Sequence, residues 1–167
     1  MENDFSLEHI EVSSSPGERF EEYLQSRNKR VTQQRKAIVE QVFSHHEHFD
    51  ADALRAELQA TAENRKIGRA TVYRTLNELV EAGLLREMKL NNRTVFEHDY
   101  GYPQHDHLHC QDCDRLIEFR SDELIALRDT VARQNQFRVS GHRFIITGVC
   151  SRCMKARQRP TRRLEMV

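Results

Sequence analysis

Through the first half of the chain, apolar side chains recur at helical spacing. Phe20, Tyr23 and Leu24, with Arg27, follow an i, i+3, i+4 pattern behind Ser15-Pro16-Gly17-Glu18. That tetrapeptide predicts a helix start, with Ser at N-cap, Pro at N1 and Glu at N3 of a capping box. Thr32 is placed to cap a second helix, in which Ile38 and Val42, and Val39 and Phe43, stack four apart. Asp50 caps a third, with Ala51, Leu54 and Leu58 on its inner face. A fourth runs from about Arg69 to Ala82 on the stripe Val72, Leu76, Leu79 and Val80, and Gly83 suits the C′ position. Its opposite face offers Ala70, Tyr73, Arg74 and Asn77. The period then shortens: Leu84 to Lys89 and Thr94 to Glu97, around Asn91-Asn92, read as a hairpin. Short helices followed by a two-stranded hairpin predict a winged helix, a helix-turn-helix variant, over residues 15–97.

The pattern changes after Glu97. Residues 98–104 contain Gly and Pro and read as a hinge, and residues 105–154 as a second, smaller α/β unit. In that unit Leu116 to Phe119 predicts a strand. Asp122 to about Gln136 predicts a helix with Leu124, Leu127 and Val131 inward. Phe144, Ile145 and Ile146 predict a further strand. Residues 1–14 show no periodicity and are expected to form a flexible arm, and the basic tail over 155–167 shows no sign of a fold. The fold class is therefore α+β.

Composition adds limits. With 38% hydrophobic and 31% charged residues in 167, the core is modest. No apolar run approaches the ~20 residues of a membrane span and no signal-peptide h-region is present, so a cytoplasmic protein without a membrane partner is expected. The net charge of zero hides two basic stretches in the N-terminal half, Arg27 to Lys36 and Arg65 to Arg74. Each reads either as a solvated helix face or as a surface for a polyanion. In the second reading Arg74 could hold guanine O6/N7 bidentately and Tyr73 could pack on a thymine methyl.

The candidate chemistry is concentrated between His105 and Glu118, H-D-H-L-H-C-Q-D-C-D-R-L-I-E. The four cysteines form two C-x-x-C pairs, Cys110 with Cys113 and Cys150 with Cys153. Two such turns can aim four sulfurs at one zinc ion. A redox dithiol would need one pair at a helix start in a βαβ pattern, and neither pair has that context. A closed four-thiolate zinc is structural, not catalytic. If His105 to Cys110 is extended, His105, His107 and His109 share one face, with Asp106 and Cys110 on the other. Imidazoles with carboxylates make a mixed N/O site for iron, manganese, zinc or cobalt; the alternative is a solvated His-rich loop. Glu97, Glu118 and His48 would join such a site only if the fold gathers them. Without a phosphate-binding Gly loop, an H-E-x-x-H or a G-x-S-x-G elbow, no enzyme is expected.

R-A-T-V-Y-R-T-L-N-E-L-V-E-A-G (Arg69 to Gly83), followed by H-D-H-L-H-C-Q-D-C and I-E-F, resembles the ferric uptake regulator (Fur) family over about Ser26 to Cys153. The resemblance implies a homodimeric, metal-dependent repressor with a winged-helix DNA-binding domain and an α/β dimerisation domain. Structural zinc falls on Cys110, Cys113, Cys150 and Cys153. A regulatory metal falls on His48, Glu97, His105, His107 and Glu118. DNA contacts fall on Arg69, Thr71, Tyr73 and Arg74 of the recognition helix, and on Arg30, which would reach the minor groove. The implied partner is a palindromic, A/T-rich double-stranded operator. Many relatives have a further site, for which only Asp106 and His142 match here. Gln104 and Ile125 stand at the other two positions, so this extra site is expected to be weak or absent. Zinc sensors of the family add a regulatory cysteine and peroxide sensors have Asp where Glu118 stands, so the resemblance favours Fe(II) as the regulatory ion, with Mn(II), Co(II) or Zn(II) possible. A peroxide-, manganese- or zinc-responsive regulator of the same family and a zinc-storage module are the alternatives.

Overall fold

Side-chain oxygens start the first three helices. In the computed structural model, which describes residues 12–44, 48–91 and 93–158, Ser15 and Glu18 close a reciprocal capping box at the head of α1 (Pro16–Ser26). Thr32 accepts from the Arg35 N–H at the head of α2 (Gln33–Phe43), and Asp50 from the Ala53 N–H at the head of α3 (Ala51–Ala60). These are the predicted caps, and each satisfies a first-turn amide that has no partner within its helix. Most of the N-terminal arm, Asn92 of the predicted turn and the tail beyond Gln158 lie outside the described residues.

The chain divides into two units, one over residues 7–103 and the other containing residues 104–167. In the first, α4 (Arg69–Glu81) drives Val72, Leu76 and Leu79 into a core shared with Phe20, Leu24, Ile38, Val42, Leu54 and Leu58. Gly83 follows at φ +70°, the left-handed C′ conformation that glycine adopts without strain. β1 (Leu85–Leu90) and β2 (Arg93–His98) then pair antiparallel as the wing, from Leu85 opposite His98 to Leu90 opposite Arg93. A carboxylate enters this core from α4. Glu78, on the inner side of α4, accepts from Arg35 Nε at 3.1 Å and Arg35 Nη2 at 2.9 Å, and Lys29 Nζ lies 3.0 Å away. A buried carboxylate is tolerable here because two cations hold it.

The second unit is a three-stranded sheet in the order β4-β3-β5, with β3 (Asp106–Cys110) in the middle. β4 (Leu116–Phe119) runs antiparallel to β3 and β5 (Ile145–Gly148) parallel to it. Helix α5 (Asp122–Gln134), capped by Ser121, separates β4 from β5 in sequence. Two expectations are corrected. Leu127 and Val131 are not inward: they are 60% and 49% exposed, Leu124 is half-buried, and Ala132 is the buried residue of α5. The apolar stripe is real but meets no core among the described residues. The tail, expected to be unfolded from Lys155, begins as helix α6 (Ser151–Gln158). No Gly or Pro interrupts these residues, and Arg157 Nη2 donates to Asp112 Oδ1 at 2.5 Å, tying the helix to the turn after β3.

Leu76→Ala should cost about 2–5 kcal/mol in urea unfolding, while Asn77→Ala on the opposite face should stay within about 0.5 kcal/mol.

Candidate metal centres

The turn after β3 and the residues after β5 deliver four sulfurs to one place. Parallel pairing sets Cys110 opposite Gly148, two residues before Cys150. Gln111 N–H donates to Gly148 O at 2.8 Å, and Asp114 N–H returns to Cys110 O at 2.9 Å with Asp114 in the left-handed region at φ 55°. The first turn of α6 then brings in Cys153. One sulfur from each of Cys110, Cys113, Cys150 and Cys153 lies within 4.8 Å of all the others. A tetrahedron with metal–sulfur bonds of about 2.3 Å has its sulfurs about 3.8 Å apart; Cys113 Sγ and Cys150 Sγ are 3.9 Å apart. The protons are unevenly held. The Cys150 N–H, 3.3 Å from Cys110 Sγ, brings the Cys110 thiol down to about 6. The Arg115 N–H lowers Cys113, whereas its contacts with the Cys150 and Cys113 sulfurs push Cys153 up to about 12. Four sulfurs this close cannot all ionise without a cation among them, and four thiolates with no oxygen or open position suit zinc in a structural role.

β3 also carries the imidazoles. His107 stands directly opposite Glu118 in the β3–β4 ladder. His105, two residues earlier on the same face, has Nε2 3.8 Å from Glu118 Oε1, and the two imidazole rings are 4.9 Å apart. One ligand atom from each of His105, His107 and Glu118 lies within 4.8 Å of the other two. His105 and His107 are buried. Two buried imidazoles converging on a carboxylate are a donor set that could hold a metal ion, not a solvated loop. In the first unit a bridge between Phe49 and Phe96 runs antiparallel, so their neighbours His48 and Glu97 also fall side by side. His48 Nε2 is 3.3 Å from Glu97 Oε2, and Glu97 is buried.

His109 shares the strand face with His105 and His107 in the alternation but not their cluster. It is buried, with Nε2 3.2 Å from Asp114 Oδ1, so it braces the cysteine turn. Two residues of strand, about 6.6 Å, separate it from His107. Asp106 faces the other way and meets His142, at 3.1 Å. Sequence reasoning missed Asp114, and also Arg128, which reaches His142 from α5. Neither has a local signal, because both contacts depend on tertiary placement.

On the outer side of α4, Arg69, Ala70, Arg74 and Asn77 are exposed and Tyr73 is half-buried. The Arg69 guanidinium lies over the Tyr73 ring, 5.3 Å from its centroid, and pairs with Asp52 at 3.2 Å. Gly68 caps α4 with no side-chain bond, unlike the heads of α1, α2 and α3. Arg35 Nη1 donates to the Arg30 carbonyl at 2.5 Å, linking the segment before α2 to the Glu78 pair.

The chain matches the model of the ferric uptake regulator family over residues 26–147. It is 37% identical over 128 residues to the ferric uptake regulation protein of Neisseria gonorrhoeae, covering 74% of this chain and 85% of that protein. The peroxide operon regulator of Bacillus subtilis is 31% identical over 134 residues, 80% and 90% of the two chains. Among solved structures, the ferric uptake regulator of Francisella tularensis with iron superposes with a TM-score of 0.66 at 29% identity, covering 75% of this chain and 94% of that one.

Cys110→Ser should lose one zinc per chain and melt the second unit while the first keeps its helical signal, measured by metal analysis and hydrogen exchange. A stable second unit with full zinc content would contradict the structural role.

Proposed function

The chain belongs to the ferric uptake regulator family, whose members are metal-responsive transcriptional regulators and not enzymes, and we propose that it is an Fe(II)-dependent homodimeric repressor of metal-ion homeostasis genes. The observation that carries this reading is the division of donors. All four cysteines of the chain cluster on one another, so no thiol is left for a second site. What remains is imidazole and carboxylate, a set that suits Fe(II) and also accepts Mn(II), Co(II) or Zn(II). Glu118 stands where the peroxide sensors of the family have Asp, which also favours the iron reading.

In this proposal His105, His107 and Glu118 of the second unit and His48 and Glu97 of the first ligate one ion. The bound ion supplies a fixed positive centre that the five donors share. His48 sits just before α3 and Glu97 near the end of the wing, so ligation by these two restricts the winged helix. Fewer conformations then have to be excluded when DNA binds, and coupling of about 1–3 kcal/mol gives a 5–150-fold change in affinity. Arg74 and Tyr73 read base edges in the major groove, Arg69 and Thr71 lie at the head of the same helix, and Arg30 enters the minor groove. A two-fold dimer asks for a palindromic operator, here expected to be A/T-rich. The exposed Leu127 and Val131 suit a face of α5 covered by a second copy.

His105→Ala with His107→Ala should abolish the metal-dependent gain in DNA affinity while the zinc content stays at one per chain; an undiminished gain would refute the assignment. Arg74→Ala should relax sequence preference, worth about 1–3 kcal/mol of discrimination, whereas Arg30→Ala should weaken binding to all sequences and flatten its salt dependence. Footprinting at several salt concentrations separates the two, and the reverse pattern would exchange their roles.

A further inference from the structure

Asp106 and His142 invite a metal, yet their surroundings do not fit one. Gln104 Nε2 lies 2.8 Å from the His142 carbonyl oxygen. An amide oxygen in that place would face another oxygen, so the nitrogen is correctly placed there. The same nitrogen is 2.7 Å from His142 Nδ1, and Arg128 Nη1, which can only donate, is 3.2 Å from it. Two donors aimed at Nδ1 require a lone pair there. The ring proton therefore sits on Nε2, which donates to Asp106 Oδ2 at 3.1 Å. Asp106 Oδ1 accepts the Phe144 N–H at 3.0 Å, so both oxygens of a carboxylate only 3% exposed are engaged. Asp129 Oδ1 holds the Arg128 guanidinium from its other side, 2.8 Å from both Nε and Nη2.

A metal ion shared by Asp106 and His142 Nε2 would have to displace the proton between them. One on the Nδ1 lone pair of His142 would leave Nε2–H to the carboxylate, the arrangement found around many metal-bound histidines. Here the guanidinium and the Gln104 amide already occupy that lone pair. We propose that Arg128 stands in for an ion at Asp106 and His142, making the Arg128–His142–Asp106 chain a metal-independent lock in the second unit.

The lock has a clear place to act. Asp106 lies between His105 and His107, and the His107 N–H donates to Phe144 O at 3.1 Å, beside the bond from Phe144 N–H to Asp106. The two bonds fix β3 against the segment entering β5, and with it the two imidazoles on the opposite face. These histidines would thus be held in place before any regulatory ion arrives, and a chain would hold two ions, not three.

The test uses the full chain, zinc-loaded and dialysed anaerobically against excess Co(II), with metal per chain measured by elemental analysis. Two ions per chain are expected for the wild type and for His142→Gln. Gln104→His with Arg128→Met, which supplies an imidazole and removes the guanidinium, should gain a third. A third equivalent in the wild type that His142→Gln removes would overturn the proposal, as would a folded double variant that stays at two. Long-range nitrogen–proton spectra of the wild type give an independent reading that needs no variant. The His142 ring should be the Nε2–H tautomer and should stay so when Zn(II) is added in excess; a shift of Nδ1 on metal addition would overturn the proposal.

Discussion

The middle strand of the second unit is buried along most of its length and made of the wrong residues for a core. β3 reads Asp-His-Leu-His-Cys, and of these five side chains only Leu108 is exposed, while His107 is 2% exposed. Among the described residues of this unit, the buried apolar side chains are Cys110 and Ala132. Hydrophobic burial cannot hold such a unit together, and a buried polar group stabilises only when something meets it. Each face and end of β3 is met differently: Cys110 by three other sulfurs, His109 by Asp114, Asp106 by His142, and His105 and His107 by Glu118. The ligand-rich strand is therefore the part of this unit least supported by apolar packing. Coordination can supply there the free energy that apolar packing supplies elsewhere.

The first unit reverses this arrangement. Its core is apolar from Phe20 to Phe96, and the buried Glu78 is neutralised by Arg35 and Lys29. That core leaves the outer face of α4 free of structural duty, so Arg74 and Asn77 stay exposed. The same Arg35 that holds Glu78 also bonds the Arg30 backbone, so the helix and the basic segment before α2 share one support.

Much of this was legible in the sequence for stated reasons. Helix starts were readable because Ser15, Thr32 and Asp50 act on amides two or three residues away, and the α4 stripe because its period is local. The two C-x-x-C pairs were readable because two intervening residues make one turn. Alternation placed His105, His107 and His109 on one face but could not give His109 its partner Asp114, since period says which face a side chain takes and not which neighbour reaches it. The exposed Leu127 and Val131 show the same limit: an apolar stripe marks a face to be covered without saying by which chain. Arg128 was invisible because nothing nearby in sequence ties α5 to His142. The helix in the tail was missed because it is fixed by a single ion pair to Asp112 and by its position after Cys150, not by an apolar pattern.

The central claim is that the imidazole-carboxylate donors convert metal occupancy into DNA affinity. It is tested most directly on the unmodified protein. Zinc-loaded chain would be titrated anaerobically onto a duplex selected by the metal-replete protein from a random pool, with Fe(II), Mn(II), Co(II) or additional Zn(II) held at known free concentration. Affinity should rise 5–150-fold over the zinc-only protein, with Fe(II) saturating the response. Equal affinity with and without the added ions would contradict the account.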